Sequence, residues 1–215
     1  KQIGKEWHGS CPCCGGEDRF WIADHNGELK HHCRQDCDFQ ERSQLLRERG
    51  LLPEYQPPKL STEPYHRQKR LPLLGARLDG QNVIIPILNL LTGERCGEQT
   101  ISPNGFKKFT KGLVKAGAGA LLGDYSGTIY IAEGWATACA VSVSTGHQAC
   151  FGLDANNLQT VAEALSKLYP DANLIVAADA DDAGVAAAQK TGLPYARPTV
   201  DGHDFWDVWS DSGAD

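Results

Sequence analysis

The chain has 215 residues, 41% of them hydrophobic and 22% charged, which is enough apolar content for a buried core and excludes a disordered tail. No apolar run reaches the roughly 18 residues that a membrane span requires, so no membrane partner is expected. The net charge of −6 conceals an asymmetry: residues 1–122 carry 18 Lys and Arg against 14 Asp and Glu, and residues 123–215 carry 3 against 13. A basic front suits polyanions and an acidic back suits cations or metals. The first residue is Lys1 and there is no Met, which reads as a piece of a longer protein.

Of eight cysteines, five fall within Cys11–Cys37, while Cys96, Cys139 and Cys150 are scattered and read as packing residues. Crowding into one corner argues against a disulfide scaffold and for a metal site in a reducing cytoplasm. Cys11-Pro-Cys-Cys14-Gly-Gly offers a Cys-x-x-Cys knuckle, and Cys33-Arg-Gln-Asp-Cys37 offers a second pair eighteen residues later. Two thiolate pairs so spaced can close a tetrahedron around one structural Zn²⁺, with ribbon strands formed from Arg19–Glu28 between them. Three residues separate the second pair where two are commoner, so His8, His31 or His32 stands as a substitute ligand and Cys13 competes with Cys14.

Around this site Arg19, Trp21, Lys30 and Arg34 mix cations with an aromatic face, a composition suited to single-stranded nucleic acid. Adjacent strand residues face opposite sides, so one of Phe20 and Trp21 is expected in the ribbon's small core. Asp38–Arg49, with Phe39, Leu45 and Leu46 apolar and Gly50 as a stop, predicts a helix closing a zinc-binding ribbon domain over 1–52. Residues 53–70, holding Pro53, Pro57, Pro58 and Pro64, read as a linker.

Strand-like runs follow at Asn82–Leu90 and Cys96–Ile101, then a Lys/Gly-rich stretch, Asn104–Gly119, in which Lys107, Lys108, Lys111 and Lys115 form a positive strip. From Gly127 the rhythm alternates. Strands are predicted at Ile129–Ala132, Ala149–Leu153, Leu174–Ala178 and near Tyr195–Arg197, with helices at Trp135–Ser144, Leu158–Tyr169 and Ala183–Lys190. Such alternation implies a mainly parallel α/β sheet. Glu133 follows the first of these strands, and Asp179, Asp181 and Asp182 follow the third. Neighbouring ends of parallel strands form a ligand crevice, so Glu133, Asp179 and Asp181 are expected to converge on a hard cation such as Mg²⁺. Asp182 stands at the expected N-cap of the Ala183–Lys190 helix, and Asp204 and Asp207 are candidates to flank the crevice.

Glu133-Gly after one strand and Asp179-x-Asp181 after a later one resemble the Toprim signature shared by DnaG-type primases, topoisomerases and some nucleases. His8-Gly-Ser-Cys-Pro-x-Cys14-Gly-Gly-x-Asp18-Arg19-Phe20 resembles the zinc-binding domain of bacterial, phage and plasmid primases. Together they are most similar to the primase portion of phage and plasmid primase–helicase proteins. The resemblance implies an α/β chain: a small zinc ribbon, a mixed α+β basic subdomain over 71–122, and a Toprim-like parallel α/β sheet over 123–215. It implies a DNA primase that makes short RNA primers from ribonucleoside triphosphates on single-stranded DNA, releasing pyrophosphate, in DNA replication in the cytoplasm.

In that family pattern Glu133, Asp179 and Asp181 are catalytic and hold Mg²⁺ or Mn²⁺, with Asp204 and Asp207 as further candidate ligands. Cys11, Cys14, Cys33 and Cys37 hold zinc, and Arg19, Trp21, Lys30, Arg34, Lys107, Lys108 and Lys111 meet template and RNA primer. A replicative helicase, in cis or in trans, is the implied partner. The competing readings are a non-polymerising zinc/Toprim module of the recombination-mediator type and a Toprim metal nuclease. The first usually begins with a helical hairpin before its cysteines, for which Lys1–Ser10 leaves no room.

Overall fold

A computed structural model describes residues 1–4, 6–25, 28–52 and 62–212, and the chain divides into two units, Lys1–Pro58 and Lys59–Asp215. In the first unit, strands β1 (Gln2–Ile3), β2 (Glu6–Cys11), β3 (Gly15–His25) and β4 (Glu28–Cys33) form an antiparallel meander in that order. The pleat sends Phe20, 7% exposed, into a small core with Cys11, Cys33 and Leu46, and turns Trp21 to the opposite face. Helix α1 (Phe39–Glu48) supplies Leu46, and it starts where the Asp38 carboxylate accepts the backbone N–H groups of Gln40 and Glu41 at 2.9 Å each.

Residues 53–61 of the expected linker lie outside the described residues. Its remainder includes a short helix, α2 (Tyr65–Gln68), which belongs to the second unit and starts after Pro64. Proline's fixed φ serves a helix start as readily as a loop, which is why composition alone reads this stretch as linker.

The second unit continues through β5 (Arg77–Asp79), β6 (Asn82–Asn89), β7 (Arg95–Ile101), β8 (Lys107–Phe109) and β9 (Ala118–Leu122). Then come β10 (Thr128–Ala132), α3 (Trp135–Thr145), β11 (Gln148–Phe151), α4 (Leu158–Leu168), β12 (Asn173–Ala177), α5 (Asp182–Lys190), β13 (Tyr195–Ala196) and α6 (Phe205–Asp211). All these strands join one nine-stranded sheet, in the order β13-β12-β10-β11-β9-β6-β7-β8 with β5 on the edge of β6. The four strands from β13 to β11 run parallel, as their alternation with helices predicts. β9 pairs antiparallel with both β11 and β6, so the sheet passes unbroken from the basic segment into the acidic one.

Strands β8 and β9 and helix α6 are not visible in the sequence pattern. β8 is three residues with two lysines, β9 begins Ala-Gly-Ala, and α6 buries none of its seven residues fully. Both faces of the sheet are covered. Trp135, Ala138 and Cys139 of α3 pack on one face with Ile85, Ile87, Ile101 and Phe151, and Val161 and Leu165 of α4 pack on the other with Ile129, Ile131 and Val176. Burial on both sides explains the uninterrupted apolar runs of β10 and β12.

Asn157, 4% exposed, pins the junction of the two halves. Its Nδ2 donates to the carbonyls of Ala118 and Gly152 at 2.8 Å each, and its Oδ1 accepts from Gly117 N at 3.0 Å and Thr160 Oγ1 at 2.6 Å. We expect Asn157→Ala to lose about 2–4 kcal/mol of stability, because it strands several buried polar groups at once. Chemical denaturation measures that loss, and a wild-type midpoint would show that the junction does not depend on Asn157.

Candidate active site and metal centre

The four sulfurs of Cys11, Cys14, Cys33 and Cys37 lie within 4.8 Å of one another. Cys14 and Cys33 are 3.6 Å apart and Cys33 and Cys37 3.7 Å apart, close to the edge of about 3.8 Å expected for sulfurs placed 2.3 Å from a tetrahedral zinc. The three-residue gap in the second pair closes because Asp36 takes a left-handed conformation, φ 47°, and returns its N–H to the Cys33 carbonyl at 3.0 Å. The N–H of Gln35 donates to Cys33 Sγ at 3.4 Å and draws that thiol down to about 6, while contact with Cys14 pushes the Cys37 thiol up.

Among the described residues, neither Cys13 nor any histidine joins the four. His8 and His32 flank Trp21 across the strands, on the face away from the cysteine core, and His8 Nε2 meets Glu6 at 2.8 Å. His31 faces the core but is held by Arg42 and Ser43. The same pleat places Arg19, Trp21 and Lys30 on the outer face, with exposed Arg34 just beyond β4.

In the second unit, β10 and β12 pair in register through Ala132 and Ala177, so Glu133 leaves one strand beside the segment that carries Asp179 from the other. Asp154 follows β11 on the other flank of β10, a third acid at the same end of the sheet. Burial is the main cause of a raised Glu133 carboxyl, with Asp154 and Asp181 adding to it. Asp179 is raised to about 7, by burial first and then by Asp204, Glu133 and Asp181, and its Oδ1 is buried without a hydrogen-bond partner.

Unlike the thiols, no three carboxylates among the described residues come within 4.8 Å of one another. Capping explains part of this. Asp181, rather than Asp182, is the N-cap of α5, accepting Gly184 N at 2.6 Å. Asp204 caps α6 by accepting from Trp206 N at 2.6 Å and Asp207 N at 3.0 Å, accepts from Thr137 Oγ1 at 3.1 Å, and donates its own N–H to Asp207 Oδ2 at 2.8 Å. The donor set nevertheless fits a hard divalent cation: oxygen ligands, repelling one another, with one buried oxygen unsatisfied.

The lysines divide. Lys107 lies on the β8 face shared with Phe109 and acts electrostatically on both Glu133 and Asp179, while the pleat turns Lys108 to the other face and Lys111 lies exposed beyond the strand. Lys115 binds Asp154 at 2.6 Å and sits 4.5 Å from the centre of the Phe109 ring. Two participants escape sequence reasoning. Asp154 carries no motif beyond its place after a strand. Lys69 rests 3.0 Å over the Trp206 ring, and burial lowers its pKa against the pull of Asp204 and Asp207.

Residues 128–215 match the family described as the Toprim domain. Two Escherichia coli proteins described as DNA primase TraC are 34% and 33% identical over 126 and 108 residues, or 55% and 48% of this chain. The chain spans only 12% and 7% of their lengths. The primase fragment of the bacteriophage T7 primase-helicase protein has a TM-score of 0.52 at 14% identity, covering 96% of this chain and 95% of that one, a likeness of fold.

In the region 128–215, burial raises the folded Asp179 carboxyl to about 7, against about 3.9 in an unfolded chain. Between those values the unfolded chain releases a proton that the folded one keeps, so this residue costs stability progressively as pH rises from about 4 to 7, and fully above. Asp179→Asn should therefore raise the melting temperature of the metal-free protein at pH 8 and leave it nearly unchanged at pH 4. Equal shifts at both pH values would contradict the buried-charge account.

Proposed function

We propose that this chain is a DNA primase that joins ribonucleotides into short RNA primers on a single-stranded DNA template. The observation that carries this is the meeting, in one sheet, of acids at three neighbouring strand ends with Lys107 and Lys115 from the preceding basic segment. Residues 1–52 act as the zinc ribbon, 71–122 as the basic subdomain and 123–215 as the Toprim domain. The outer ribbon face, with Arg19, Trp21, Lys30 and Arg34, takes the template strand, and Lys107, Lys108 and Lys111 follow its phosphates and those of the primer.

Glu133, Asp179 and Asp181 are the residues that would hold Mg²⁺ or Mn²⁺, with Asp204 and Asp207 in reserve behind the α6 cap. The bound cation supplies neutralising charge for the reacting phosphates. In the reaction the 3′-hydroxyl oxygen attacks the α-phosphorus, the bond to the β-phosphate oxygen breaks, and pyrophosphate leaves. Glu133, its carboxyl made more basic by burial, takes the hydroxyl proton. Lys107 and Lys115 attract the phosphate oxygens, and Lys115 releases Asp154 as it does so.

A replicative helicase, joined in cis or bound in trans, is the proposed partner, and the likeness to the fragment of a primase-helicase supports it. Among the described residues no helix is long and apolar enough to cross a membrane, and we assign the protein to the cytoplasm as a replication enzyme.

Incubation with single-stranded DNA, labelled ribonucleotides and Mg²⁺ should yield short RNA, and Asp179→Ala should reduce that yield by at least about a hundredfold with circular dichroism unchanged. Retention of DNA without synthesis would favour the mediator-type module, and a cut template would favour a nuclease.

Among the described residues the ribbon's apolar core has four buried side chains, two of them cysteines, so the zinc supplies much of its folding energy. One zinc per chain is expected by elemental analysis. Stripping it should expose residues 1–52 to protease while a fragment near 59–215 survives, and survival of an intact, zinc-free ribbon would contradict a structural metal.

A further inference from the structure

We infer that Arg42 is the counter-charge of a dianionic zinc–tetrathiolate centre, which rests on reading Cys11, Cys14, Cys33 and Cys37 as the zinc ligands. Arg42 is only 3% exposed, and among the described residues none of the ion pairs reaches it. A guanidinium keeps its charge in any protein environment, and a buried charge without a compensating one is strongly disfavoured.

The hydrogen bonds of Arg42 are good but bring no negative charge. Its Nη1 donates to the Cys37 carbonyl at 2.5 Å and its Nε to His31 Nδ1 at 3.0 Å. Because His31 Nδ1 accepts, Nε2 carries the proton and faces Ser43 Oγ at 3.3 Å, and that hydroxyl donates to the Phe39 carbonyl at 2.6 Å. The chain of donors and acceptors is closed, and every acceptor in it is neutral. The Phe39 ring, stacked on His31 at 5.0 Å and 7°, also lies 5.7 Å from the guanidinium carbon and screens this layer from water.

Among the described residues no carboxylate pairs with Arg42, and the cysteine cluster beside it offers negative charge. Zinc binding deprotonates four thiols, leaving two net negative charges on a site whose own core is apolar. Arg42 touches the backbone of one ligand residue, Cys37, and is fixed there because Asp38 caps α1 directly after it. The cluster therefore satisfies the arginine, and the arginine halves the charge of the cluster. The role of Arg42 is to position and compensate, through the ligands, without touching the metal.

Zinc affinity of the full chain, read by competition with a chromophoric chelator, tests this. Arg42→Gln should weaken zinc binding by about tenfold or more, whereas Arg42→Lys, which keeps the charge, should stay within a few-fold of wild type. The Co²⁺-loaded protein should show the same four-thiolate charge-transfer band in both variants. Wild-type affinity in Arg42→Gln, or an equal loss in Arg42→Lys, would overturn the inference. If Arg42→Gln does not fold, Arg42→Lys decides alone: near-wild-type affinity supports the counter-charge and a tenfold loss removes it. A wild-type chain that takes up no zinc would instead overturn the tetrathiolate reading itself.

Discussion

The parallel pairing of β10 with β12 is the constraint on which the acidic half of the molecule depends. Once Ala132 and Ala177 share a register, Glu133 and the segment carrying Asp179 emerge side by side from strands buried on both faces. Like charges so placed raise one another, and removal from water raises them further. The backbone around them is correspondingly exacting. A Cβ on Gly184 would lie 2.7 Å from the Asp179 carbonyl oxygen and 3.1 Å from its nitrogen, so only glycine lets the start of α5 close against that turn. Stability is given up locally for a site that attracts cations, and the two covered faces of the sheet offset it.

Continuity of the sheet gives the charge asymmetry its meaning. Lysines of the basic segment reach the acids because β9 bonds to β11 and carries β6, β7 and β8 with it, and Asn157 locks that seam through Gly117, Ala118 and Gly152. The Lys115–Asp154 contact spans 39 residues of sequence and so depends on the fold rather than on local pattern. On the proposed reading, an anionic substrate would meet lysines near the crevice, while the excess of acid would remain for metal.

The legible parts of the sequence are those governed by short-range rules. The Cys-x-x-Cys knuckle, the apolar β10 and β12 runs and the helices between them follow from spacing and periodicity, and their observed limits differ from the expected ones by a residue or two. What was hidden depends on tertiary partners. Asp181 takes the capping place expected for Asp182 because the helix begins one residue earlier. Asp204 and Asp207 look like flanking ligands in sequence, yet they form a reciprocal cap at the start of α6, a helix too short and too exposed to show a period. Lys69 falls in a proline-marked stretch that reads as linker, and its place depends on Trp206, 137 residues on.

The two metal-directed sites meet opposite electrostatic demands, and their chemistry follows. The thiols are gathered within 4.8 Å, with Cys11 and Cys33 buried against Leu46 of α1, and compensated by a buried arginine, a closed arrangement in which an ion has no free position to offer a substrate. The carboxylates stand further apart, partly occupied as helix caps, with one buried oxygen unsatisfied and lysines held nearby. A site of that kind can tighten around a cation and an anionic substrate together, because each relieves the repulsion that the other alone would leave. Closure in the ribbon and incompleteness in the crevice are thus the physical basis for assigning one metal to folding and the other to reaction.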